Sequence, residues 1–331
     1  MDGNRPDGPQ EDDTAATAGG GDARDPGSPG ADGGSEGPGG PGDSGDSGDS
    51  GDSGDSGDSG DSGKDSTGTA SAEDGLRFAL GTLTVLPVHV TRWDRGAARR
   101  GMELAPLAGL LMGLAAAAAG VLALLLGTSA LFAAVVCVAV PAVLTRALHL
   151  DGLADVADGL GSAKPAGDAL RVMKQSDIGP FGVVTLVLVL LAQTALISEL
   201  FGESGWAYGA LAVTVSAVTA RSALTLAARS GVAAARTDGL GAAVAGSVPV
   251  RSAAAVAALV TVSAAAAGAL VHWGAAFPGA VSCALAVLLG LAAAEALLRH
   301  CRRRLGGVTG DVFGALAETA GTVALAVMAL G

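Results

Sequence analysis

The sequence predicts an all-α fold: a polytopic integral membrane helical bundle of about seven transmembrane helices, behind a disordered acidic N-terminal tail. Three observations predict it. Half of the 331 residues are hydrophobic and mean hydropathy is +0.48, although a long polar segment dilutes both. Charge divides at about residue 75: the first 75 residues hold 19 acidic and 3 basic side chains, and the remainder hold 13 and 17. The net charge of -12 is therefore -16 from the tail and +4 from the rest. Finally, the chain beyond residue 104 is a succession of apolar runs long enough to cross a bilayer.

Residues 1–75 form the first predicted region. Residues 42–62 are seven consecutive Gly-Asp-Ser triplets. Glycine at every third position suits a collagen helix, but the triplets contain no proline and carry a charge each. Such a segment buries too little apolar surface to offset its ordering entropy, so disorder is expected. It has neither the basic nor the apolar region of a secretory signal. The three cysteines, Cys137, Cys283 and Cys301, have no zinc or disulfide spacing.

Residues 76–331 form the membrane-embedded region. Spans are predicted at 104–126, 129–150, 183–200, 207–228, 252–271, 280–298 and 312–330. Leu76–Val90 is apolar but short and contains Pro87, so it is expected at the interface. Gly109, Gly113 and Gly120 favour close helix packing. With seven spans, the loops 76–103, 151–182, 229–251 and 299–311 share one side and carry 15 basic residues. The loops 127–128, 201–206 and 272–279 carry none. By the positive-inside rule the basic side is cytoplasmic, and polar chemistry is expected at that face.

Few acidic residues remain to do chemistry. Asp151, Asp155 and Asp158 stand four and three residues apart, within roughly a 60° arc of one helix face at 100° per residue. Like charges so placed repel. At the end of an outward-to-inward helix they also meet the negative end of its dipole. The pattern is poor for stability and suits a hard divalent cation with oxygen ligands, here Mg²⁺. Lys164, Arg171 and Lys174 follow in the same loop and complete a site for a di- or triphosphate. Asp177 either joins the carboxylates or caps the helix after Gly179-Pro180. Arg221, among Thr219, Ser222 and Thr225 inside a span, must face the bundle interior and needs a partner. The run Gly306-Gly307-Val308-Thr309-Gly310-Asp311 opens the last helix, where glycines let backbone approach a ligand. His149 is the one histidine beside the aspartates.

Together these residues resemble the adenosylcobinamide-GDP ribazoletransferase (cobalamin synthase) family. The strongest likeness is Leu148-His149-Leu150-Asp151-Gly152-Leu153-Ala154-Asp155-Val156-Ala157-Asp158-Gly159-Leu160. Three further segments fit in order: Leu83–Val88, Ala234–Gly241 with Arg236 and Asp238, and Gly307–Asp311. The resemblance covers about residues 76–331 and not the tail. Two departures stand out. The family usually has arginine where Val85 stands. It usually reads Met-Lys-Asp-Ser-Arg-Ile-Gly where this chain reads Met173-Lys174-Gln175-Ser176-Asp177-Ile178-Gly179.

The resemblance implies a phosphotransferase acting in the last step of cobalamin biosynthesis. The 5′-hydroxyl of α-ribazole, or its 5′-phosphate, attacks the phosphate next to the aminopropanol arm of adenosylcobinamide-GDP, and GMP leaves. On this reading Asp151, Asp155 and Asp158 hold Mg²⁺ and, with Lys174, are catalytic. His149, Arg171, Asp177, Arg221, Arg236 and Asp311 bind substrate. The expected location is the bacterial inner membrane, multi-pass, with the site facing the cytoplasm. The expected partners are the two substrates and the lipid bilayer, and a homo-oligomer is allowed. Two other classes share parts of this pattern. A CDP-alcohol phosphotransferase would also use metal-held aspartates, but its further aspartates four apart after a glycine are missing. A transporter would place ionisable groups near the bilayer midplane. Nucleic acid is not an expected partner, because the basic residues are dispersed and three Trp, six Phe and one Tyr give little stacking surface.

Overall fold

The computed structural model describes residues 70–85, 87–271, 274 and 276–330. The Gly-Asp-Ser run, and with it most of the expected tail, lies outside the described residues. Among the described residues there are eleven helices and no strand: α1 (Ala72–Leu83), α2 (Arg95–Leu125), α3 (Ala130–Leu144), α4 (Leu148–Gly161), α5 (Ala166–Val172), α6 (Pro180–Glu203), α7 (Trp206–Ala227), α8 (Gly239–Val244), α9 (Val250–Val271), α10 (Ala276–Leu305) and α11 (Gly310–Leu330). Helices α2, α6, α7, α9, α10 and α11 are each long and apolar enough to cross a membrane. The chain is a multi-pass helical membrane protein.

Helix α1 begins inside the stretch expected to be tail. Its start is a capping box: Asp74 N–H donates to Ser71 Oγ at 3.1 Å, and Ser71 N–H to the Asp74 carboxylate at 2.9 Å. Twelve residues reach ~18 Å, too short for a crossing. Buried Phe78 and Leu83 turn α1 onto α2 instead.

The bundle is built on backbone proximity. Helix α7 runs against α2 and α11, and α10 against α9 and α11. At Gly113 an added Cβ would sit 2.8 Å from Thr214 Cα, so α2 approaches α7 this closely there because position 113 has no side chain. Large side chains such as Leu188, Leu191, Leu259 and Phe277 point outward. In water such a surface would be a liability, and in lipid it is the solvated face.

One expectation is corrected here. The span predicted at 129–150 is not one helix. It ends at Leu144, and α4 leaves at 89° to α3. The turn is a Schellman closure, with Ala147 N–H donating to Ala142 O at 2.7 Å and Arg146 N–H to Val143 O at 3.1 Å. Arg146 and Ala147 hold φ of 51° and 57°, a left-handed conformation usually given to glycine. Two such residues cost on the order of 1–3 kcal/mol each, so the surroundings must enforce the turn. Helix α3, ~22 Å long, covers most of the hydrocarbon. Helix α4 cannot continue the crossing. It lies across the N-terminal ends of α6 and α11.

Candidate functional site

The break in α3 puts the aspartates on α4, outside the spanning helices. Asp151 now falls in the first turn of α4, where the helix dipole favours a carboxylate. The unfavourable dipole predicted for the three aspartates is thereby reversed for Asp151, while Asp155 lies mid-helix and Asp158 in the last turn of α4. Gly152 permits the close crossing of α4 over α11: an added Cβ would lie 2.7 Å from Asp311 O. This contact brings Asp311, distant in sequence, to the same place.

The three aspartates then part ways. Asp158 is 8% exposed and turned into the protein. Its carboxylate accepts from Gly179 N–H at 2.8 Å and Gly182 N–H at 2.9 Å, and so caps α6 from another helix. The capping role weighed for Asp177 belongs to Asp158. Asp151 and Asp155 instead line a cavity of about 370 Å³ with Gln175, Ser176 and Asp177. Burial, then the charges of Asp311, Asp151 and Asp158, push Asp155 up to about 7. Among the described residues no group of three or more His, Cys, Asp or Glu side chains already stands at metal-binding geometry.

A second cavity, about 440 Å³, is lined by Arg171, Lys174, Arg236 and Asp238. Arg236 joins the two regions. Its guanidinium is 3.5 Å from the Asp311 carboxylate, donates to Leu170 O at 2.6 Å and reaches Asp155 electrostatically. The loop bearing Arg236 is held by main-chain bonds, Ala235 N–H to Val308 O at 2.8 Å and Val308 N–H to Ala233 O at 2.9 Å. Gly307 makes this possible, since a Cβ there would sit 2.5 Å from Ala233 O. Of the glycines predicted to admit a ligand, Gly307 admits another stretch of chain, whereas Gly306 and Gly310 have open space beside them. Lys174 Nζ pairs with Asp238 at 3.1 Å and holds its carboxyl below the usual range, and Arg171 pairs with Asp168. These pairs are exposed and exchangeable, so both cations are available to an anionic ligand.

Two predicted residues are placed elsewhere. His149, 3% exposed, lies on another face of α4, in a small recess with Met102, Leu224 and Phe313. Arg221, 4% exposed, is inside the bundle and not in the carboxylate cavity. Glu318, Gln193 and the turn at Thr145 lie near it. Local spacing places Glu318 seven residues after Asp311 on one helix face, but it singles out neither Gln193 nor Thr145. Their meeting depends on how α3, α6, α7 and α11 pack.

Fold and site define a class: a multi-pass membrane protein with acidic and basic cavities side by side, joined by one arginine, at the end of the bundle that bears the basic loops. Residues 75–329 match the family described as Cobalamin-5-phosphate synthase. An adenosylcobinamide-GDP ribazoletransferase of Frankia casuarinae is 42% identical over 265 residues, covering 77% of this chain and 94% of its own. Proteins of the same name from Nocardioides sp. and Bradyrhizobium diazoefficiens are 39% and 38% identical, covering 75% and 77% of this chain and 94% and 92% of their own. No solved structure matches. The chain belongs to the cobalamin-5-phosphate synthase family, and the class it falls in is transferase.

Proposed function

We propose that the protein transfers the adenosylcobinamide phosphoryl group from adenosylcobinamide-GDP to α-ribazole or its 5′-phosphate. The products are adenosylcobalamin, or its 5′-phosphate, and GMP. Family membership and relatives of that name support the reaction. The observation that carries the site is the junction of the cavities: Asp151 and Asp155 on one side, Arg171 and Lys174 on the other, and Arg236 with Asp311 between.

The acceptor oxygen attacks the phosphorus bonded to the aminopropanol arm. A P–O bond forms there, the P–O bond to the GMP portion breaks, and the hydroxyl proton passes to a carboxylate, Asp151 or Asp155. A product that keeps its 5′-phosphate has its 5′ oxygen already esterified. The nucleophile is then another ribose hydroxyl, which corrects the 5′-hydroxyl expected from sequence. Arg171 and Lys174 orient the guanosine diphosphate and neutralise its oxygens. Arg236 holds Asp311 in place and takes up charge as GMP leaves.

The donor set suits Mg²⁺, which needs only one or two carboxylates when substrate phosphates and waters complete the shell. Asp151 and Asp155 would hold it, and Asp158, with both oxygens taken by backbone, would not. When bound, the ion would neutralise the pyrophosphate. The excess of basic residues in these loops supports a site on the cytoplasmic side of the bacterial inner membrane. The test is GMP release by membranes containing the protein, supplied with adenosylcobinamide-GDP, α-ribazole and Mg²⁺, with and without EDTA. Release that needs both the acceptor and the metal is expected. Release that persists in EDTA sinks the metal assignment, and no release sinks the reaction.

A further inference from the structure

The mechanism leaves unused one cavity whose mostly apolar wall carries a buried charge of each sign. It lies inside the bundle, among α2, α3, α6, α7 and α11, and has a volume of about 70 Å³. At 10–15 Å³ per water centre that is room for about five waters, and at ~30 Å³ of liquid each, about 150 Å³. One fused bicyclic aromatic ring occupies a similar space. Leu150 and Leu190 line both this cavity and the one holding Asp151 and Asp155, so they form the partition between them.

The lining indicates the ligand. Most of it is apolar, including Met112, Val138, Ile197 and Leu325. Arg221 and Glu318 supply one charge of each sign, and no ion pair within 4 Å joins them among the described residues. Gln193 Nε2 holds the Glu318 carboxylate at 2.9 Å. Among the described residues Arg221 Nε is buried with no hydrogen-bond partner, and Nη2 donates to Met112 Sδ at 3.5 Å. An anion entering here would meet Glu318. A neutral flat ring with an unprotonated ring nitrogen would satisfy the Arg221 N–H and fill the apolar remainder.

We propose that this cavity binds the base of the acceptor, a neutral flat bicyclic ring with an unprotonated ring nitrogen, with its ribose projecting past Leu150 and Leu190 toward Asp151 and Asp155. This deepens the reaction proposed above and rests on it for the acceptor's identity. Arg221 is then a residue that reads the base, separate from the phosphate chemistry. A flat apolar base in a membrane-embedded pocket and phosphates at the polar surface would also give a physical reason for this transferase to be a membrane protein.

The test uses the full chain in lipid nanodiscs. Arg221→Gln removes the donor, and Ala142→Leu fills the cavity from α3. Each is expected to raise the α-ribazole KM by about tenfold or more while the adenosylcobinamide-GDP KM stays within about twofold. Equilibrium dialysis of α-ribazole, without donor substrate, is expected to show the same loss of affinity. An unchanged α-ribazole KM and affinity in Ala142→Leu overturns the proposal, as does an equal rise in both KM values. Arg221→Gln serves as a second reading if it folds. If wild-type protein releases no GMP yet binds α-ribazole, and Ala142→Leu abolishes that binding, the cavity stands and the reaction falls.

Discussion

Asp155 and Asp158 are three residues apart on one helix, and their environments give them opposite duties. Asp158 lies among backbone donors and is satisfied by Gly179 and Gly182. Asp155 faces Asp151 and Asp311 with little to neutralise it except Arg236. Removing each should therefore fail differently. Asp155→Asn should reduce GMP release by at least about a hundredfold, the usual scale for a lost acid–base group, with little change in thermal stability. Asp158→Ala leaves two helix-end donors of α6 unsatisfied and should cost about 1–3 kcal/mol, read as a lowered unfolding temperature in detergent. Equal effects on activity and stability from both variants would contradict this division. In sequence the two looked equivalent. A count of residues per turn places carboxylates on a face, but it cannot show that the N-terminus of another helix will occupy one of them.

At the scale of elements, the site depends on how α4 is laid down. Its crossing of α11 is as close as backbone allows at Gly152. Gly152→Val should push α4 off Asp311 and separate the carboxylates. We expect the protein to insert normally but to need more Mg²⁺ for half-maximal GMP release; wild-type Mg²⁺ dependence would show that the crossing does not position the site. The other determinant is the break after α3. Its Schellman closure carries Arg146 at the position where glycine is most often found, so the usual stop signal is absent. That is why 129–150 reads as one continuous span. The remaining crossings were legible because about 20 apolar residues are enough to specify a helix in lipid, wherever its neighbours lie.

For the whole molecule, the proposed orientation makes a direct prediction. The native cysteines Cys137, Cys283 and Cys301 are all buried, so labelling of engineered ones has a low background. A membrane-impermeant maleimide should label Ser204→Cys, in the loop between α6 and α7, in intact cells. It should label Arg303→Cys, at the end of α10, only after lysis. The reverse pattern would invert the topology and move the site outside. The N-terminus offers a second prediction. Deleting residues 1–69 should leave GMP release unchanged. Deleting through Asp74 should lower stability, because it removes the Ser71–Asp74 cap and exposes the end of α1. If the shorter deletion also abolishes activity, the Gly-Asp-Ser segment takes part in function.

The sequence by itself determined the class of fold, the crossings other than the broken one, the sidedness of charge, the family resemblance and the helical spacing of the carboxylates. Each of these is local: hydropathy over a window, charge in a loop, or spacing along a single helix. Only the tertiary structure decided that Asp158 caps α6 while Asp151 and Asp155 face a cavity. It also decided that Arg236 and Asp311 stand between the acidic and basic sides, and that the buried Arg221 Nε finds no partner among the described residues. Those facts depend on side chains dozens of residues apart meeting at angles set by small residues and by one strained turn. No window along the chain contains both partners of such a contact.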